Sequence, residues 1–172
     1  NNVCLLVAEF PPRHGIDTAI TPIQPCSDPN CLDCLPNYQT CLACDTGSGF
    51  YLRISVCLNL GSIPAREGIN AALGSIVACQ DSNCLLCPSN YSVCNGCDVM
   101  ANYYLRSGIC IHKSTVPDFE GAYVVTGLVL PCLQPFCKRC HDGVCSQCDT
   151  SQSYYLKLAS CYHSSMIGFG EG

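Results

Sequence analysis

Three short stretches of the chain share one order of apolar and polar side chains, namely aromatic, aromatic, Leu, base. They are Phe50, Tyr51, Leu52, Arg53; then Tyr103, Tyr104, Leu105, Arg106; then Tyr154, Tyr155, Leu156, Lys157. Aromatic residues favour a pleated surface, and Gly, Asn and Ser flank each stretch, so the pattern predicts three small β-hairpins. Side chains alternate across a strand, which lets one aromatic and the base face outward while the other aromatic and Leu pack inward. Each hairpin is therefore expected to offer one face to a neighbour, through Tyr51, Tyr104 and Tyr155.

Three longer apolar segments separate these features: LLVAEFPPRHGIDTAITPIQP, LNLGSIPAREGINAALGSIVA and IHKSTVPDFEGAYVVTGLVLP. Each has an apolar residue before a proline (Pro11, Pro64, Pro117) and a glycine four places on (Gly15, Gly68, Gly121), which predicts a turn fixed at one place. The β-branched runs Ile20 to Ile23 and Val124 to Val129 read as short strands. A helix through Ala71 to Val77 is the weaker alternative, because Gly74 sits in its middle. Strands this apolar need a cover, so Val124 and Val129 join the expected assembly surface. The run around Ala122 to Leu130 is interrupted by Thr126 and Gly127 and falls short of the roughly 20 residues of a membrane helix, so no membrane span is expected in this segment.

Cysteines frame both features. Cys79, Cys84, Cys87, Cys94, Cys97 and Cys110 follow the steps 5, 3, 7, 3, 13, and the same steps occur 53 residues earlier at Cys26, Cys31, Cys34, Cys41, Cys44 and Cys57. A third set, Cys132, Cys137, Cys140, Cys145, Cys148 and Cys161, has the steps 5, 3, 5, 3, 13, one loop being two residues shorter. The interval of 22 that joins consecutive sets also separates Cys4 from Cys26, so Cys4 is the last cysteine of an incomplete copy. The organisation is then the end of a preceding repeat plus spacer (1–25), two repeats with spacers (26–78 and 79–131) and a third with a truncated spacer (132–172). Both ends fall in mid-repeat, and the expectation is a piece of a longer array.

With 19 cysteines in 172 residues, a disulfide scaffold is the default reading. The expected fold class is small, disulfide-rich and mainly β, an elongated tandem array of repeats with short hairpins and apolar β spacers. Between Cys26 and Cys44, and in the two corresponding segments, turn formers crowd the cysteines so closely that no helix or long strand is expected. Dense disulfides persist in oxidising compartments, which points to a secreted or cell-surface location. Cys4 is left unpaired, or bonded to another chain. A net charge of −5 without any run of like charge gives no reason to expect a nucleic acid partner.

Thiolate pairs two residues apart resemble zinc ligands, yet the gap between CxxC pairs, six residues or four in the last copy, is short for a zinc module. Disulfides are expected instead, with no metal and no cofactor. Asp45, Asp98 and Asp149 follow the fifth cysteine of each set and are expected to bond turn amides rather than calcium. His14, His112, His141 and His163 do not recur across all copies, and no GxSxG or HExxH is present, so no enzyme activity is expected. Asn90-Tyr91-Ser92 is a standard glycosylation sequon, and a glycan is expected at Asn90.

The pattern CxxxxCxxCx6CxxC, followed by an aromatic-aromatic-Leu hairpin and a closing cysteine, resembles the furin-like cysteine-rich repeats of the growth factor receptor superfamily. It is most similar to the tandem arrays in large surface proteins of ciliates and other protists. The resemblance covers Cys26 to Cys57, Cys79 to Cys110 and Cys132 to Cys161, but not the spacers. It implies rod-like stacking and bonds from first to third, second to fourth and fifth to sixth cysteine. In the first copy these are Cys26 to Cys34, Cys31 to Cys41 and Cys44 to Cys57; spacing alone leaves 15 connectivities open.

Low charge and uncovered apolar spacers point to self-association. The expected function is a non-catalytic extracellular building block of a surface fibre, hair or coat, assembled head to tail. The competing expectation is a receptor or adhesin ectodomain stalk that binds a protein or glycan ligand.

Overall fold

A chain with turn formers every few residues and cysteines between them can extend only briefly before it must reverse. The computed structural model describes residues 10–17, 19, 23–35 and 37–166. Among them every strand has two to five residues, and the only helices are single 3-10 turns. Nine disulfides tie these pieces into a small, disulfide-rich, mainly β fold.

The chain divides into two units. The first, Asn1–Gln80 with Cys87–Ser92, holds β1 (His14–Ile16), β2 (Ile23–Pro25), β3 (Cys31–Asp33), β4 (Ala43–Cys44), β5 (Phe50–Arg53), β6 (Val56–Asn59), β7 (Glu67–Asn70) and β8 (Ser75–Ala78). β1 and β2 form one antiparallel pair and β3 and β4 another, while the remaining four make a sheet of order β6-β5-β8-β7. The second unit, Asp81–Leu86 with Val93–Gly172, holds β9 (Cys84–Leu86), β10 (Gly96–Cys97), β11 (Tyr103–Arg106), β12 (Ile109–His112), β13 (Glu120–Tyr123), β14 (Leu128–Pro131), β15 (Cys137–His141), β16 (Val144–Cys148), β17 (Tyr154–Lys157) and β18 (Ser160–His163). Its main sheet has the order β12-β11-β14-β13-β15-β16, beside the pairs β9-β10 and β17-β18.

The aromatic quartets form β5, β11 and β17, each the first strand of a hairpin. Their two-residue tips have positive φ at both positions: Ile54 and Ser55, Ser107 and Gly108, Leu158 and Ala159. Such tips match the twist of the strands but suit Asn or Gly, so Ile54 is held at a steric cost by the pairing around it.

Two readings of local structure need correction. Val124 to Gly127 is the turn between β13 and β14, with Gly127 at φ 70°, so the valine run is not one strand. The third knot also contains strands of five residues. Only His141 to Val144 remain between Cys140 and Cys145, and Asp142-Gly143 closes them as a tight hairpin with both residues at positive φ.

Two kinds of core result. In one, cystine replaces hydrocarbon: Cys31, Cys34, Cys41, Cys44 and Cys57 are buried together, with Tyr38, Phe50 and Leu52 against them, and Cys137, Cys140, Cys145 and Cys148 repeat this. The other is apolar, with Tyr104 buried among Val116, Ala122 and Val129.

Candidate assembly surface

The disulfides of the first knot join Cys26 to Cys34, Cys31 to Cys41 and Cys44 to Cys57. Those of the second join Cys79 to Cys87, Cys84 to Cys94 and Cys97 to Cys110, and those of the third Cys132 to Cys140, Cys137 to Cys145 and Cys148 to Cys161. Second and third bonds pack side by side, which brings the sulfurs of Cys31, Cys41 and Cys57, and of their two counterpart trios, within 4.8 Å of one another. All nine sulfurs are engaged in disulfides, so none of these trios offers a thiolate to a metal. Cys4 lies outside the described residues.

A carboxylate locks each of the first two knots to its hairpin. Asp28 accepts the N–H of Asn30 at 2.9 Å and the N–H of Cys57 at 2.8 Å, and Asp81 accepts those of Asn83 and Cys110, both at 2.9 Å. Neither aspartate stands out in the sequence as the partner of a distant amide. Their signal was recurrence, two places after the first cysteine of both sets.

The spacers act through a glycine and a glutamate. Gly15, Gly68 and Gly121 lie in β1, β7 and β13, where a Cβ would overlap the carbonyl oxygen of Cys34, Cys87 or Cys140. The glycine therefore serves close backbone approach rather than a turn. Next to it, Glu67 accepts two hydrogen bonds from Arg53, at 2.5 and 2.8 Å, and Glu120 two from Arg106, at 2.6 and 2.9 Å. Each guanidinium holds its partner's carboxyl below the usual range by hydrogen bonding first, against a smaller opposing effect of burial.

These pairs brace a strand-to-strand join. β8 lies parallel to β5, and the N–H of Leu52 donates to the carbonyl of Gly74 at 3.0 Å. β14 lies parallel to β11 in the same way, with Leu105 donating to Gly127 at 2.8 Å. A hairpin and the spacer after it thus share one sheet.

This join corrects the expected surface. Tyr104 is 2% exposed and Val129 9%, so neither can meet a partner: the spacer covers the hairpin face that Tyr104 occupies. In the first hairpin the other face, Phe50 and Leu52, packs on cystine, so such a hairpin is covered on two sides. Tyr51 is partly buried, Val124 is 45% exposed in its turn, and Tyr155 is 48% exposed. Apolar tips stand out as well, with Leu158 91% exposed.

Asp45, Asp98 and Asp149 each accept a backbone N–H from the 3-10 turn that follows, from Ser48, Ala101 and Ser151. The Ser48 hydroxyl bond lowers the Asp45 carboxyl foremost, opposed by burial, and the Ser151 hydroxyl does the same for Asp149. Asp45 also meets Arg13 at 2.9 Å. His112 and His163 accept from Ser114 N–H and Ser165 N–H and stand edge-on to Tyr103 and Tyr154, which ties them to turn structure. Asn90 is exposed, and its side-chain oxygen accepts the Ser92 N–H at 3.0 Å.

Among the described residues no helix is long and apolar enough to cross a membrane. No family model, curated protein or solved structure matches the chain.

Proposed function

We propose that this chain is a non-catalytic, extracellular structural repeat protein of furin-like type, which associates head to tail to build a surface fibre, hair or coat. The observation that carries the reading is the join between hairpin and spacer. It occurs twice, at β5–β8 and β11–β14, with the same parallel pairing and the same bidentate ion pair. A contact that fastens each hairpin to the spacer after it, through main-chain bonds and buried apolar side chains, suits a stiff, load-bearing repeat, and a heterologous contact that does not close propagates. Nine disulfides fit an oxidising compartment, and a glycan at the exposed Asn90 fits the same location.

Negative-stain electron microscopy of the native material without reducing agent tests the proposal. Filaments with a regular axial spacing are expected. Separate, discrete particles at all concentrations would overturn it in favour of a receptor or adhesin stalk.

A further inference from the structure

We propose that the cleft between β13 and the third knot is a binding site for a sugar that carries a carboxylate, a uronic acid residue of a glycan. The site stands on its own geometry; the choice of a sugar as the carrier rests on the extracellular placement proposed above.

Strand pairing builds the cleft. β13 and β15 run parallel, with Gly121 beside Cys140 and Ala122 beside His141, and the N–H groups of Phe119 and Asp142 donate to the carbonyls of Lys138 and Ala122 at 2.7 and 3.1 Å. Side chains two places apart share a face of a strand, so Glu120 and Ala122 stand beside Arg139 and His141. The 3-10 turn Lys113–Thr115 brings Lys113, and after it Val116, to the same place. The result is a cavity of about 180 Å³ in which Val116, Ala122 and Cys140 are buried while Lys113, Arg139 and His141 are exposed.

Neighbouring acids do not use up the positive charge. Asp118 is shared by two bases, Lys138 at 3.3 Å and Arg139 at 3.5 Å. Glu120 is held by Arg106, and Asp142 lies 3.0 Å from His141. Lys113 meets no acid among the described residues.

The bases are peculiar to this cleft. The corresponding positions in the preceding copy hold Leu60, Leu86 and Pro88, while Glu120 and Cys140 keep their counterparts Glu67 and Cys87. Three replacements of apolar groups by bases thus converge on one cavity, in a chain with only eight Lys and Arg in all. Joining hairpin to spacer does not require them, since the preceding copy makes that join without them.

The lining also indicates what it takes. Lys113 and Arg139 offer charge-assisted donors, and the flat guanidinium fork suits a carboxylate. Glu120 and Ser146 add acceptors for hydroxyl groups, Ser146 already donating its own proton to the Arg139 carbonyl at 3.1 Å. The buried apolar groups suit the C–H face of a ring. The cavity is smaller than the roughly 300–1,000 Å³ of a pocket for drug-sized ligands, so it takes one such residue rather than several.

Equilibrium dialysis of the full, disulfide-intact chain against labelled glucuronic acid, at neutral pH and low salt, tests this. Saturable binding is expected, weakening as salt rises. Lys113→Leu and Arg139→Leu, which restore the residues of the preceding copy, should each weaken it about tenfold. Lys157→Leu, which removes a base outside the lining, should leave it unchanged. Should a leucine variant fail to fold, Lys113→Gln and Arg139→Gln repeat the measurement. Glucose, which lacks the carboxylate, should not compete. An unaltered chain that binds no more glucuronic acid than the Lys113→Leu, Arg139→Leu double variant overturns the site. Acetate that competes as well as unlabelled glucuronic acid overturns the sugar as its ligand. Either failure leaves the assembly reading standing, because filament formation is read separately.

Discussion

The side chain of Asp81 accepts the backbone N–H of Cys110, 29 residues further on, at 2.9 Å, and at the corresponding place in the third knot stands Gln134. Its Nε2 donates to the Ser160 hydroxyl at 3.2 Å, but its Oε1 is buried without a partner. A buried acceptor left unsatisfied costs about 1–3 kcal/mol. Gln134→Asp should therefore raise the denaturant midpoint of the disulfide-intact protein, while Asp81→Ala should lower it by a similar free energy. A midpoint unmoved by Gln134→Asp would show that the third knot is closed by other means.

Tyr104 and Tyr155 occupy the same position in two hairpins and should respond very unequally to truncation. Tyr104→Ala empties a site lined by Val116, Ala122 and Val129 and should cost about 3–5 kcal/mol. Tyr155→Ala removes a half-exposed ring and should stay within about 0.5 kcal/mol for the isolated chain. Thermal unfolding at low protein concentration distinguishes them.

Gly68→Ala and Gly121→Ala should be among the most damaging small changes. The added methyl meets backbone of Cys87 or Cys140, which cannot rotate away as a side chain could. A loss of about 1–3 kcal/mol or more follows, together with faster proteolysis in the spacer. Alanine at Gly47, whose Cβ would meet only the Asp45 side chain at 3.5 Å, serves as the control.

Acid should loosen the joins. The carboxyls of Glu67 and Glu120 lie below their usual value in the folded chain, so folding favours their ionised form. Their contribution is complete above the unfolded value of about 4.3 and is lost as pH falls through the lowered folded value. The unaltered protein should exceed the Glu67→Gln, Glu120→Gln double variant in stability at neutral pH, and the two should converge in strong acid. Parallel stability curves between pH 7 and 2 would contradict this assignment.

The quartets Phe50 to Arg53, Tyr103 to Arg106 and Tyr154 to Lys157 were legible as hairpin strands because aromatic patterning is local. Which face they would hide was not legible. Burial of Tyr104 depends on Ala122 and Val129, 18 and 25 residues later, and no period within the hairpin reports that cover. Val124 to Gly127 was misread for the same reason: β-branched residues favour strands, but the reversal is dictated by the pairing of Tyr123 with Leu128. Cysteine spacing showed the register of the knots, while the choice of partner for each sulfur is a property of three-dimensional proximity. The Arg53–Glu67 and Arg106–Glu120 pairs were within reach of sequence reading, since both partners recur 14 residues apart.

The bonds Cys31–Cys41, Cys84–Cys94 and Cys137–Cys145 hold their Cα atoms 5.7, 5.7 and 5.8 Å apart, although the last encloses two residues fewer. A change in chain length between the two CxxC pairs leaves that span unchanged, although in the third knot the shorter loop goes with longer strands, and β15 joins β13 of the spacer in one sheet. Each repeat thus separates an inherited frame from a freely editable loop. Insertions, deletions and new sequons in that loop can then leave the disulfide frame of the module as it is.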